Sequence, residues 1–160
     1  MKRAITLTVT LSLFLGVGAL AACGGDDDDG GNGEAAATKP EFDVPAGDPP
    51  TGLQIEDLKE GLGAEAEAGT TVTIHYVGKA YSTREQFDAS WDRGQPFSFA
   101  LGANPPEVVP GFDQGVTGMK VGGRRQVVIP PDLGYGPNPP GAGIGVDDTL
   151  VFVIDLLEVS

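Results

Sequence analysis

The chain has 160 residues, with 10 Lys+Arg against 23 Asp+Glu, one His and one Cys, and a formal net charge of −13. Gly and Pro supply 25 and 13 of these residues, nearly a quarter of the chain, which argues for many turns and against a helical bundle. One cysteine forms no internal disulfide and, beside one histidine, no structural zinc site; the acidic balance repels phosphate backbones and excludes nucleic acid as a partner.

Met1-Lys2-Arg3 precedes an uncharged run from Ala4 to Leu20, followed by Ala21-Ala22-Cys23. A basic start, an apolar stretch and small residues before a cleavage point predict a secretory signal over residues 1–22. The run is at the short limit for a bilayer span, and no basic cluster follows it as a stop-transfer flank. Leu20-Ala21-Ala22-Cys23 resembles the bacterial lipobox, so Cys23 is the expected lipidation site. The expected location is extracytoplasmic, on the bacterial cell membrane and held there by that lipid alone.

Residues 23–50 read as an acidic disordered tether. Gly24 to Pro50 holds eight acids and one lysine, with too little apolar surface to offset its ordering entropy. A calcium loop starting at Asp26 would place Gly30 and Ala37 where ligands are needed, so the Asp run reads as a solvated spacer. Losing residues 1–22 removes Lys2 and Arg3 and no acid, which takes the net charge from −13 to −15.

Residues 51–160 read as one working domain, long enough to bury a core without disulfides. Leu53 to Leu58 predicts a first strand with Leu53 and Ile55 on one face. Thr71 to Val77 alternates, placing Val72, Ile74 and Tyr76 together, with His75 on the opposite side. Phe87 lies in a short stretch after a polar turn. Pro96 to Leu101 alternates again, grouping Phe97, Phe99 and Leu101. Arg125 to Ile129 is a strand stopped by Pro130-Pro131, and the near-continuous apolar run from Leu150 to Val159 predicts a buried central strand. Phe112, Val116 and Met119 fall at helical spacing after Pro110, and Gly122-Gly123 is expected to end that helix. The class is α+β, an antiparallel sheet around one short helix.

No serine has a base, a single His gives neither triad nor metal pair, and Gly141-Ala142-Gly143-Ile144-Gly145 does not follow a strand as a dinucleotide loop does. The residues describe an aromatic-rich sheet protein without a reactive nucleophile.

Several blocks of that domain, all in one order, resemble the FKBP family of peptidyl-prolyl isomerases. They are Val72-Thr73-Ile74-His75-Tyr76-Val77-Gly78, Phe87-Asp88-Ala89-Ser90, Pro96 to Gly102, Val108-Val109-Pro110-Gly111-Phe112, Gly118 to Gly122, Ile129 to Gly136 and Leu150-Val151-Phe152. The resemblance implies a five-stranded antiparallel sheet wrapped around one short helix. It also implies catalysis of Xaa-Pro rotation in an aromatic pocket, without a cofactor or metal. Carried over position by position, it assigns Tyr76, Phe87, Asp88, Phe112, Tyr135 and Phe152 to catalysis. Arg93, Phe97, Glu107, Val108, Val109 and Ile144 complete the substrate-binding set, with Arg93 holding Asp88 and Glu107 contributing its backbone carbonyl. Phe99 belongs to plain core packing, and Trp91 reads as a loop anchor. Expected partners are Xaa-Pro segments of exported polypeptides and the macrolide inhibitors of the family, with the chain acting as a monomer. The competing reading is a non-catalytic peptide-binding module, or holdase, using the same cup.

Four departures from the family pattern stand out. Phe112 replaces a tryptophan at the pocket floor, and Gly102 to Glu107 is longer than the short family form. The Tyr81 to Gln86 turn lacks the usual Asp-Gly, and the Pro137 to Gly145 loop has Pro140 and Gly143 at positions commonly held by His and a larger apolar residue.

Overall fold

A computed structural model describes residues 38–141 and 143–160. The signal segment, Cys23 and the first part of the tether lie outside the described residues. Six strands, one α-helix and one 3₁₀ turn follow in chain order: β1 (Gln54–Lys59), β2 (Thr71–Ala80), β3 (Gln86–Ala89), β4 (Phe97–Ala100), α1 (Pro110–Val116), β5 (Arg124–Ile129), the turn Pro131–Leu133, and β6 (Leu150–Val159). All strand pairs are antiparallel, in the order β1-β5-β6-β2-β3, with β4 also on β2.

Six strands stand where five were expected, and the register explains the extra one. One edge of β2 pairs with β6 from Val72↔Val159 to Ala80↔Leu150. Its other edge is shared: Thr71 to Ile74 pair with β4, and Val77 to Lys79 pair with β3. The outermost position of the sheet is therefore one strand's width built from two short segments. Ser90, fully buried, fills the break. Its hydroxyl accepts from the Tyr76 N–H at 2.8 Å and lies 2.9 Å from His75 Nδ1, and its own N–H donates to the Tyr76 carbonyl.

β6 is central and almost wholly buried, as its continuous apolar run predicts. The core lies between the sheet's concave face and α1, where Val72, Ile74, Phe99, Phe112, Val116, Val127 and Ile154 pack together. Glycine brings α1 this close. A Cβ on Gly111 would stand 2.4 Å from Ile129 Cγ2, and one on Gly115 would stand 2.7 Å from Val127 Cγ1. Glycines at i and i+4 let the helix backbone rest directly on the Ile129 and Val127 side chains of β5, with no helix side chain in between.

α1 ends at Val116 rather than at Gly122-Gly123. Gly118 takes φ +79, a conformation only glycine adopts freely, and both the Thr117 N–H and its hydroxyl donate to the Asp113 carbonyl. Met119 is still 98% removed from solvent, on the turn that follows. Arg125 of β5 caps the exposed carbonyls, donating through Nη1 to Gly115 and Thr117 at 3.0 and 3.1 Å. Its other face grips Asp57 of β1 with two bonds, at 2.6 and 3.0 Å. One guanidinium thus joins β1, β5 and the negative end of the helix.

The hairpin between β2 and β3 closes without Asp-Gly. Arg84 occupies the left-handed region at φ +61, its N–H donating to the Ala80 carbonyl, and its guanidinium donates to the Val44 carbonyl at 3.2 Å.

The stretch expected to run as a free tether to Pro50 behaves differently from residue 38 onward. Val44 is buried against Tyr81, Val128 and Val151 on the convex face of the sheet, with Phe42 beside it. Lys79 donates to the Phe42 carbonyl at 2.6 Å and stands over its ring, Arg124 donates to the Thr38 carbonyl, and Lys39 pairs with Asp92. Phe42 and Val44 are too few to lift the mean hydropathy of the segment, but they meet an apolar surface already waiting for them.

Candidate active site

The aromatic side chains of the concave face surround a cavity of about 170 Å³, lined by Tyr76, Phe87, Asp88, Phe97, Glu107, Val108, Val109, Phe112, Tyr135 and Phe152. All ten were named from the sequence. Period-2 alternation puts Tyr76 on the inner face of β2, and Phe97 does the same from β4. Phe87 and Asp88 come from β3, Phe152 from β6, and Val108, Val109 and Phe112 from the entry to α1.

The rings meet edge to face. Phe112 and Phe152 have centroids 4.9 Å apart at 83°, and Phe87 meets Phe152 at 5.5 Å and 89°. Tyr76 contacts Phe97, Phe112 and Phe152 at about 6 Å, all steeply tilted. Such packing fixes each ring by its neighbours, so the walls are set before anything binds.

One polar cluster stands among them. The Tyr76 hydroxyl donates to Asp88 Oδ2 at 2.5 Å, Arg93 donates to Asp88 Oδ1, and Arg93 Nη2 reaches the Tyr76 hydroxyl at 2.9 Å. Burial, and then the hydrogen bond to Asp88, raises the Tyr76 phenol above its ordinary pKa. Burial first and the Asp88 charge second do the same for Tyr135. Arg93 is raised as well, chiefly by its bond to Tyr76. Both phenols therefore stay protonated at neutral pH and remain donors.

Two residues of the expected set stand apart from the lining. Arg93 is behind Asp88, which it holds. Ile144 is buried in the core next to the cavity rather than in its wall. Phe99 is in the core, stacked on Phe97 with centroids 5.6 Å apart. Trp91 lies on the other side of the sheet, stacked on His75 at 4.1 Å.

One residue that shapes the cavity escaped the sequence reading. A Cβ on Gly78 of β2 would lie 2.7 Å from both Phe152 Cε1 and Phe87 Cζ. The two rings occupy the space a side chain would take. A glycine inside an alternating strand, between Tyr76 and Ala80, was the available signal.

With this geometry in view, comparison with known proteins is decisive. Residues 63–157 match the sequence profile of the FKBP-type peptidyl-prolyl cis-trans isomerases. The chain belongs to that family. An FK506-binding protein of Streptomyces anulatus is 56% identical over 122 residues, covering 76% of this chain and 97% of that one. A Corynebacterium glutamicum protein, named "Probable FK506-binding protein", is 47% identical over 120 residues, covering 75% and 98%. The crystal structure of FkpA from Escherichia coli superposes with a TM-score of 0.61 at 38% identity over 69% of this chain. This FKBP chain spans about half of that longer one, 49%.

Proposed function

We propose that this protein is a peptidyl-prolyl cis-trans isomerase for exported polypeptides, held outside the cytoplasmic membrane by a lipid on Cys23. The observation carrying the catalytic reading is an aromatic cavity with Tyr76 and Asp88 hydrogen-bonded to each other in its wall and held from behind by Arg93. An Xaa-Pro bond interconverts over tens to hundreds of seconds because the twisted amide loses resonance, across a barrier of ~18–20 kcal/mol. Lowering it requires no bond making. It requires a surface that binds the twisted amide better than either planar form.

The cavity suits that task. The proline ring fits against Phe112 and Phe152, while Phe87 and Tyr76 close the sides. Twisting removes charge separation from the amide, so a site that replaces water by ring faces penalises the planar forms more than the twisted one. The carbonyl sweeping past Asp88 and the Tyr135 hydroxyl meets a fixed carboxylate and a phenol held in its donor form. A barrier lower by ~6–8 kcal/mol corresponds to roughly 10⁴ to 10⁶ in rate. No step takes or gives a proton, and the raised phenols do not ionise near neutrality. The catalysed rate is therefore expected to stay flat between about pH 6 and 9.

The test follows cis-to-trans conversion of a short Xaa-Pro peptide by the chain lacking residues 1–22, beside a Phe87→Ala/Asp88→Ala double variant shown by circular dichroism to be folded. Acceleration that disappears in the variant supports activity and site together. Acceleration that survives keeps the activity and removes the site. A folded wild type without acceleration ends the enzyme reading and leaves a peptide-binding cup. The anchor is tested separately by incorporation of labelled fatty acid into the full chain in bacteria, which Cys23→Ser is expected to abolish.

A further inference from the structure

Two residues lining the cavity carry a formal charge, Asp88 and Glu107. They stand in different company. Asp88 is ion-paired with Arg93 and accepts the Tyr76 hydroxyl, so its corner of the cavity is close to neutral. Glu107 has no such partner. Its Oε2 accepts one long bond, 3.3 Å, from the Ala100 N–H, and among the described residues no cationic side chain lies within ion-pair distance of it. A carboxylate accepts about four hydrogen bonds, so most of its capacity is left for whatever fills the cavity.

We infer that the Glu107 carboxylate is a specificity-determining group, selecting Xaa-Pro segments that carry a lysine or arginine beside the proline-containing dipeptide. The inference rests on the isomerase reading and names the substrate class of the same site. The aromatic walls take a proline ring without regard to the charge of its neighbours. The chain as a whole, at −13, attracts cationic peptides without fixing their register. Glu107 supplies the register, because it is the uncompensated charge at the cavity itself. It also ties the segment before α1 to the end of β4 through Ala100. Charge selection and loop anchoring are thus two roles of one side chain, and glutamine separates them: it keeps an acceptor for Ala100 and loses the charge.

The experiment measures kcat/KM for an Xaa-Pro peptide frame in which Lys, Leu or Glu occupies each flanking position in turn. The enzyme is the chain lacking residues 1–22. Glu107 is exposed, so discrimination of severalfold rather than orders of magnitude is expected. At low salt one flank should favour Lys over Glu by about fivefold, falling to about twofold or less at 0.5 M salt, where the Debye length shrinks to a few ångströms. Glu107→Gln should bring the ratio towards one and Glu107→Lys should invert it. Glu158→Gln, which removes the same charge from the far end of β6, should leave the ratio unchanged. The inference is overturned if wild type turns over Lys and Glu peptides equally, if Glu107→Gln lowers all peptides by one factor, or if Glu158→Gln shifts the ratio as much. Failure to turn over even the Leu peptides would strike the isomerase reading instead.

Discussion

On its concave face the sheet meets helix α1, and on its convex face it meets residues 38–50 of the same chain. Both contacts bury apolar side chains, but by different means. The helix reaches β5 because Gly111 and Gly115 carry no side chain, so backbone lies against Ile129 and Val127. The convex contact is a thin strap with little structure of its own. It is held where Val44 drops beside Tyr81, Val128 and Val151, and where Lys79, Arg84 and Arg124 donate to its carbonyls. The first contact is interlocked with the cavity, since α1 supplies Phe112. The apolar cluster and the hydrogen bonds of the second include none of the cavity's lining residues. One face is therefore expected to join stability to function, and the other to contribute stability alone.

The sharpest way to break this contrast is to enlarge Gly115. Valine there must displace Val127 or push α1 off β5, and overpacking of that kind costs about 3 kcal/mol when neither side can yield. Since Phe112 rides on the same helix, urea denaturation should show a large loss of stability, and isomerase activity per folded molecule should fall with it. A variant that keeps its activity at reduced stability would show that the helix and the cavity are not coupled.

Removing residues 1–50 tests the other side. Burial of one Val and part of a Phe sets the scale of the effect at about 2 kcal/mol, or roughly 5–10 °C of melting temperature. The truncated chain should melt lower by that amount while its peptide kcat/KM stays within about twofold of the longer chain. An unchanged melting temperature would make the strap a passenger. A large loss of activity would make the two faces one unit.

The same contrast marks what the sequence makes legible. The concave face is written in alternation and helical spacing, so Tyr76, Phe97, Phe99 and Phe112 are placed by period alone, and the family resemblance adds Asp88 and Tyr135. Composition hid the strap, because two apolar residues in an acidic Gly/Pro-rich stretch do not raise its average. What decides their fate is the surface of Val128 and Val151, from 84 to 109 positions away. Contacts made by absence are hidden too. Gly78, Gly111 and Gly115 look like weak points in a strand and a helix until the atoms that press against them are known. Long-range polar ties are a third such class: nothing near Arg125 in sequence announces Asp57 or the end of α1.

The smallest effect belongs to the rim of the convex face, where His75 stacks on Trp91 and bonds Ser90. Desolvation lowers the His75 pKa below 6.5, and the nearby Asp155 opposes this less strongly. A lowered folded-state value means the unfolded chain binds the proton more readily. The contribution to stability is therefore complete above about pH 6.5 and is lost as pH falls through the folded value. Trp91 is the protein's one tryptophan, and its indole N–H finds no acceptor among the described residues, so its emission reports this stack without interference. Fluorescence should titrate with a midpoint below 6.5 and stop doing so in His75→Gln. A midpoint above 6.5 would mean that Asp155 outweighs burial. The stack would then strengthen as the pH falls, and stability would move in the opposite direction.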